Sequence, residues 1–279
     1  MKINIAKSAG FCVGVKRALA IAGKAAKSCA KIDMLGDIVH NEEVVKQIQK
    51  TGIKKIDELD KGKNKTLLIR AHGAPNSTYQ KAKKLGYQII DATCPMVKEI
   101  HQIAKKYQKK GYKIIIVGDK KHEEVQGIVG QLDKKPLVFS PKTEIKKKMC
   151  GNLKKAVVIS QSTQNIDEVK NIVYKIKRYI PRLEFIDTIC KPTRQKQNEV
   201  KTMPYNNDSM LIIGSKASAN TKRLYQISKK INPRTYWIED DKKINPGWFK
   251  NVKSVGITAG ASTPENIIHS VVEKIKNLS

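Results

Sequence analysis

Three of the five cysteines stand in matching surroundings. Cys12 lies in Gly10-Phe11-Cys12-Val13-Gly14-Val15-Lys16-Arg17-Ala18, Cys94 in Asp91-Ala92-Thr93-Cys94-Pro95, and Cys190 in Asp187-Thr188-Ile189-Cys190-Lys191-Pro192. Each follows an apolar or loop approach and opens a stretch with helical patterning. The positive end of a helix favours an anionic thiolate, so three such ends suit a thiolate–metal centre. With one histidine, three thiolates complete a structural zinc site. They can equally hold three irons of a 4Fe–4S cluster and leave the fourth iron open to substrate. The absence of a Cys-x-x-Cys pair argues against a zinc ribbon or an ordinary ferredoxin, and an open cluster suits three ligands better than four. Cys29, at an Ala/Lys helix end, and Cys150, after a lysine run, fall outside the repeated position and read as small buried hydrophobes.

A second set of polar residues follows strands in glycine-containing turns. His40, His72 and His122 belong to it, and Ser218, Asn220 and Ser262 fill related positions late in the chain. Histidine, hydroxyl and amide donors gathered at such turns suit an anion, because hydrogen bonds to ionised phosphate are the strong, charge-assisted kind. The expected ligand is a small phosphate or diphosphate. Neither a Walker A nor a Gly-x-Gly-x-x-Gly pattern is present, so a nucleotide is not indicated. Glu124 is the acid–base candidate: in a dry pocket, burial disfavours its charge and makes it a proton donor. Glu42, Glu43 and Glu123 read as solvated helix-start glutamates. His101 reads as structural or at the surface, and His269 as facing water opposite Ile268, Val271, Val272 and Ile275.

The elements that must position these groups alternate between apolar runs and amphipathic stretches, the signature of α/β architecture. Strands are expected at Ile32–Leu35, Thr66–Arg70, Tyr87–Ile90, Lys113–Val117, Ala156–Ile159, Leu183–Ile186, Met210–Ile213 and Ser254–Thr258. Helices are expected after Cys12 to about Lys27, over Glu42–Lys50 and Ser77–Lys84, from Pro95 to about Lys109, from about Asp167, and at the end of the chain. Cys12 to Gly36, Cys94 to Gly118 and Cys190 to Gly214 are each 24 residues. Four residues past each glycine stand His40, His122 and Ser218; six past stand Glu42, Glu124 and Asn220. The chain therefore reads as three copies of one α/β unit, at 1–94, 95–190 and 191–279. Ligands bind at the carboxyl ends of strands in open α/β sheets, so three similar small domains in a pseudo-threefold arrangement would bring cysteines and loops to one central cavity.

With 279 residues and 40% hydrophobic content the chain can bury a sizeable core. No run approaches the roughly 20 apolar residues that span a bilayer, and Met1–Ile5 is too short for a signal peptide, so a soluble, cytoplasmic protein without disulfide framework is expected. The net charge of +30 first suggests nucleic acid. However, Lys outnumbers Arg 48 to 7, spread along nearly every helix face, and aromatics are only 5%. No stacking platform or zinc-finger pattern appears. The charge reads as lysine-decorated solvated faces, with no nucleic acid or membrane partner.

Over nearly its full length the chain resembles the 4-hydroxy-3-methylbut-2-enyl diphosphate reductase family of the non-mevalonate isoprenoid pathway. The resemblance rests on the segment around Cys12, on Gly36-Asp37-Ile38-Val39-His40-Asn41 and on Arg70-Ala71-His72-Gly73. It continues in the segments around Cys94 and Cys190, in His122-Glu123-Glu124-Val125, and in Gly256-Ile257-Thr258-Ala259-Gly260-Ala261-Ser262. It implies three α/β domains around a central 4Fe–4S cluster held by Cys12, Cys94 and Cys190, with the substrate hydroxyl on the unique iron. It implies a diphosphate held by His40, His72, His122, Ser162, Ser218, Asn220 and Ser262, and Glu124 as the proton donor. The implied products are isopentenyl and dimethylallyl diphosphate, with electrons from reduced ferredoxin or flavodoxin. The chain departs from the family at Gln161-Ser162-Thr163, where Gln-Thr-Thr is frequent, and at Ser218-Ala219-Asn220, where Ser-Ser-Asn is frequent and the middle hydroxyl is lost here. Two rival readings remain at this stage: an open-cluster hydratase needing no electron donor, and a basic metalloprotein that binds nucleic acid.

Overall fold

The computed structural model describes residues 1–278. In chain order its elements are β1 (Lys2–Ile5), α1 (Val13–Ser28), β2 (Ile32–Leu35), α2 (Glu42–Lys50), β3 (Ile53–Ile56), β4 (Thr66–Ile69), α3 (Asn76–Lys84) and β5 (Gln88–Asp91). Next come α4 (Pro95–Lys109), β6 (Lys113–Val117), α5 (Glu123–Val129), β7 (Leu137–Phe139), α6 (Lys147–Cys150), β8 (Lys155–Ser160), α7 (Ile166–Lys177) and β9 (Arg182–Phe185). The last are α8 (Lys191–Thr202), β10 (Ser209–Ile213), α9 (Ala219–Ile231), β11 (Thr235–Ile238), β12 (Ser254–Ala259) and α10 (Glu265–Lys276).

The strands form three four-stranded parallel sheets with one topology: β3-β2-β4-β5, β7-β6-β8-β9 and β11-β10-β12-β1. The protein is thus an α/β chain of three similar domains. In each sheet the two inner strands are mostly buried and predominantly apolar, as parallel strands covered on both faces are. In the second sheet, alternate residues go to opposite faces. Ile115, Val117 and Val158 join the core under α7, while Ile114, Ile116, Val157 and Ile159 join the one under α4 and α5.

Every strand expected from sequence is present within a residue or so at its ends, and four more appear. Three of these, β3, β7 and β11, occupy the same outer position in their sheets. The fourth, β1, changes the grouping of the chain. Sequence order puts Lys2–Ile5 with residues 1–94, but β1 pairs with β12 (Ile5 opposite Ile257) and closes the last sheet. It occupies the position that β5 and β9 hold in the other two, and each of these three strands runs on toward a cysteine.

The chain divides into two compact units. The middle unit comprises Arg17–Ile38 and Ile48–Cys190 and contains the first and second sheets; the terminal unit comprises Met1–Lys16, Val39–Gln47 and the chain from Lys191 on, and contains the third. In the middle unit α4 begins with Pro95, whose missing N–H is not needed at a helix start. In the terminal unit α10 buries Ile268, Val271, Val272 and Ile275, and the His269 side chain is 72% exposed, as its helical stripe implies.

Candidate active site

The cysteines sit in three equivalent backbone turns. In the terminal unit the Cys12 N–H donates to Ala261 O in the loop after β12, at 3.1 Å. In the middle unit the Cys94 N–H donates to Ala71 O after β4 (2.9 Å), and the Cys190 N–H to Ser162 O after β8 (3.1 Å). Each cysteine is therefore held by the carbonyl edge of its own sheet. Each also starts a helix: Cys94 is the cap residue of α4, Cys190 precedes α8, and Cys12 Sγ accepts from the Val15 N–H of α1 at 3.5 Å. All three are half-buried, whereas Cys150 is buried in the core under α7. Cys29 is half-buried at the end of α1, so it is not the fully buried packing residue its type suggests.

Around Cys94 and Cys190 an aspartate three residues upstream clamps the turn. Asp91 Oδ1 accepts from the Thr93 N–H at 2.9 Å, and Asp187 Oδ1 accepts from the Ile189 N–H at 3.2 Å. Burial opposes the charge of Asp91, but hydrogen bonds from Lys98 and Thr93 outweigh it and hold the carboxyl below the usual range. Arg17 adds a hydrogen bond to Thr93 O.

The middle unit brings four of the expected site residues together. Glu124 lies in the first turn of α5 and is 1% exposed. Its Oε1 accepts from the Ser162 N–H at 2.6 Å and its Oε2 from Ser162 Oγ at 2.7 Å. Burial pushes this carboxyl above the ordinary glutamate value, against the pull of the Ser162 contacts and of His72. A proton is therefore retained at a pH where an exposed glutamate has lost it. His122 caps the same helix, its Nδ1 accepting from the Glu124 N–H. The His72 ring meets the His122 ring edge-on at 5.5 Å. Gly73, at φ +76°, allows the sharp turn that presents His72 after β4. Ser162 turns both of its donors toward Glu124, so here it is the support of the acid.

Glu123 does not behave as the solvated residue its position suggests. It pairs with Arg70 and lies 3.4 Å from His72 Nδ1, joining the loop after β4 to the start of α5. His101, at 8% exposure, is structural: burial, aided by Lys105, lowers it to about 4 and keeps the ring neutral.

In the terminal unit Ser262 Oγ donates to His40 O at 3.0 Å. Ser218 caps α9, accepting from the Thr221 N–H. Asn220, in the first turn of α9, is 4% exposed, and its amide oxygen and nitrogen have no hydrogen-bond partner among the described residues. An unmatched buried amide is costly, and at a helix N-terminus it suits an anionic ligand. Sequence reading also missed Lys196, which is 1% exposed in α8 and donates to Ser8 O, Gly10 O (2.8 Å) and Ala259 O (3.2 Å). Burial lowers this ammonium to about 8, with Cys12 and Glu199 drawing it back up. Nothing local in the sequence signals it, since all three partners are distant along the chain.

Three parallel sheets, each ending in a cysteine turn and polar loops, are the framework of one family. The LytB protein family profile matches residues 3–276, and the chain belongs to that family. It is 38% identical over 280 residues to the 4-hydroxy-3-methylbut-2-enyl diphosphate reductase of Clostridioides difficile, covering 100% of both chains. To the enzyme of that name from Aquifex aeolicus it is 39% identical over 280 residues, covering 99% of this chain and 96% of the relative. A solved structure of (E)-4-hydroxy-3-methyl-but-2-enyl diphosphate reductase, described as the terminal enzyme of the non-mevalonate pathway, superposes with a TM-score of 0.73 at 38% identity, covering 99% of this chain and 100% of the other. The Plasmodium falciparum E-1-hydroxy-2-methyl-but-2-enyl-4-diphosphate reductase gives 0.87 at 28% identity, covering 98% and 87%. Among the described residues no helix is long and apolar enough to cross a membrane.

Proposed function

We propose that this chain reduces 4-hydroxy-3-methylbut-2-enyl diphosphate to isopentenyl and dimethylallyl diphosphate. It is an oxidoreductase of the LytB family, and the reaction is the terminal reductive step of the non-mevalonate isoprenoid pathway. Two electrons and two protons enter, the allylic C–O bond breaks, and the hydroxyl leaves as water.

Cys12, Cys94 and Cys190 would hold a 4Fe–4S cluster. The donor set suits it: three half-buried sulfurs at helix starts, each on a turn fixed by its own sheet. When bound, such a cluster supplies electrons one at a time and offers an open coordination position. A reduced ferredoxin or flavodoxin is the electron source. The observation that carries the reading is the repetition of that cysteine turn in all three sheets.

The chain's own residues bind the anion and move protons. His40, His72, His122, Ser162, Ser218, Asn220 and Ser262 are assigned to the diphosphate, where charge-assisted hydrogen bonds are strongest. The unmatched amide of Asn220 supports this directly. Ser162 also fixes the Glu124 carboxyl, so its primary contribution is to aim the acid. Glu124, protonated through burial, delivers a proton to the departing hydroxyl.

The test is anaerobic reconstitution with iron and sulfide, followed by turnover of the allylic diphosphate with a chemically reduced ferredoxin. Four irons per chain and formation of both diphosphate products are expected. Stoichiometric zinc with no iron uptake, or a loaded and reduced protein that leaves the substrate intact, would overturn the assignment.

A further inference from the structure

Two of the three cysteine turns carry their own clamp: Asp91 and Asp187 stand three residues before Cys94 and Cys190 and bind the backbone of their turns. The corresponding residue before Cys12 is Ala9, which has no such group. The segment Ser8–Gly10 also contains a left-handed backbone, Gly10 at φ +89°, so it has little intrinsic rigidity. Backbone hydrogen bonds tie Ala9 to Ala6 O (3.0 Å) and Gly10 to Ala259 O (3.5 Å), and the side chains that hold the segment come from α8. Lys196 donates to Ser8 O and Gly10 O on one side and to Ala259 O on the other. Ala259 ends β12, two residues before the carbonyl that receives the Cys12 N–H. Glu199, on the next turn of α8, accepts from both the N–H (3.2 Å) and the hydroxyl (2.7 Å) of Ser8. An ammonium has three N–H donors, and each has a carbonyl here. A buried lysine with all its donors on the two backbone segments that set one cysteine is a built support for that cysteine.

We infer that Lys196 is the positioning residue for Cys12, doing from α8 what Asp91 and Asp187 do within their own turns, with Glu199 as its second anchor. The inference rests on the reading of Cys12 as a cluster ligand. Loss of Lys196 therefore loosens one ligand and leaves the other two in place.

The test uses the full chain with Lys196→Met and Lys196→Arg, alkylated under native anaerobic conditions before any cluster is loaded, and assayed for iron after anaerobic reconstitution. Native thiol alkylation is read site by site by mass spectrometry, alongside iron per chain and the melting temperature. In Lys196→Met, Cys12 should be alkylated at least tenfold faster than in the wild type, Cys94 and Cys190 should keep their wild-type rates, and iron per chain should fall. Lys196→Arg, which keeps the charge and several donors, should restore protection of Cys12. Equal acceleration at all three cysteines marks general unfolding and overturns the specific role, as does unchanged Cys12 alkylation. If Lys196→Met fails to fold, Glu199→Gln loosens the same segment more gently and should accelerate Cys12 alone; unaltered Cys12 there also overturns the inference. A Cys12→Ser chain that retains full iron would instead refute the ligand assignment, independently of Lys196.

Discussion

Replacing Glu124 by glutamine removes a proton donor while keeping its shape and contacts. Glu124 Oε1 accepts from the Ser162 N–H at 2.6 Å and Oε2 from Ser162 Oγ at 2.7 Å. The glutamine carbonyl can take the first hydrogen bond, and its amide N–H can donate to the Ser162 oxygen, because a hydroxyl accepts as well as donates. Packing is retained and the acid is lost. General acid–base catalysis contributes about 10²–10⁴-fold, or ~3–5 kcal/mol of barrier. Turnover should fall by that factor, with substrate affinity little changed. Stability should move the other way. Burial raises Glu124 above 4.5 in the folded state, so the stability it contributes is full below pH 4.5 and is lost as pH rises toward the folded value. Glutamine does not titrate. The variant should therefore gain on the wild type by about 1.4 kcal/mol per pH unit above that point, until the buried carboxyl ionises. Urea unfolding of both chains across the acid-to-neutral range reads this slope, and anaerobic single-turnover kinetics read the chemistry. A variant keeping a large part of wild-type turnover, or a stability difference flat in pH, would refute the buried-acid reasoning.

Asn220→Ala removes an unmatched buried amide, so the fold should lose little or gain about 1 kcal/mol. The same change should raise KM by about 10-fold or more through loss of a charge-assisted contact; melting curves and steady-state kinetics separate the two. His101 runs opposite to Glu124 in its pH dependence. Its folded value of about 4 against 6.5 means stability is present above 6.5 and is lost as pH falls toward 4. About 3 kcal/mol is at stake, and His101→Gln should flatten that dependence in urea titrations. Cys12→Ser, Cys94→Ser and Cys190→Ser should each lower iron per chain. Cys150→Ser should keep its iron and lose about 1–3 kcal/mol, because a core hydroxyl finds no partner; iron analysis and unfolding midpoints check both halves.

The inner strands and the cysteine turns were legible because their signals are local. Runs such as Ile114-Ile115-Ile116-Val117 and the repeated 24-residue offset require only neighbouring residues. The outer strands β3, β7 and β11 were hidden because an edge has only one neighbour to pair with and tolerates half-exposed sequence. Ile53-Lys54-Lys55-Ile56 has two exposed lysines at its centre, and β7 is only three residues long. The pairing of β1 was hidden since its partner β12 lies about 250 residues further along, and pairing of that range leaves no periodic trace. Glu124 was singled out by its place in the repeat, but its contact with Ser162 joins the start of α5 to a loop 38 residues further on. Lys196 shows the limit most clearly: on sequence it is one lysine among 48, and only three distant carbonyls give it a role.

The pairing of β1 with β12 sets an order of assembly. A ribosome makes Lys2–Ile5 and Cys12 about 250 residues before the strand beside which β1 lies and the Ala261 carbonyl that holds Cys12. The strands of the other two sheets are complete once Phe185 has been added. Until β12 is made the nascent chain thus carries β1 unpaired, an open strand edge that favours misassembly and chaperone capture. Cys12 is made before Cys94 and Cys190, and its turn is fixed after theirs. A ribosome-stalled chain that stops short of β12 should therefore have its Cys94 and Cys190 turns formed but take up no complete cluster, which would tie loading of the proposed cofactor to the synthesis of β12.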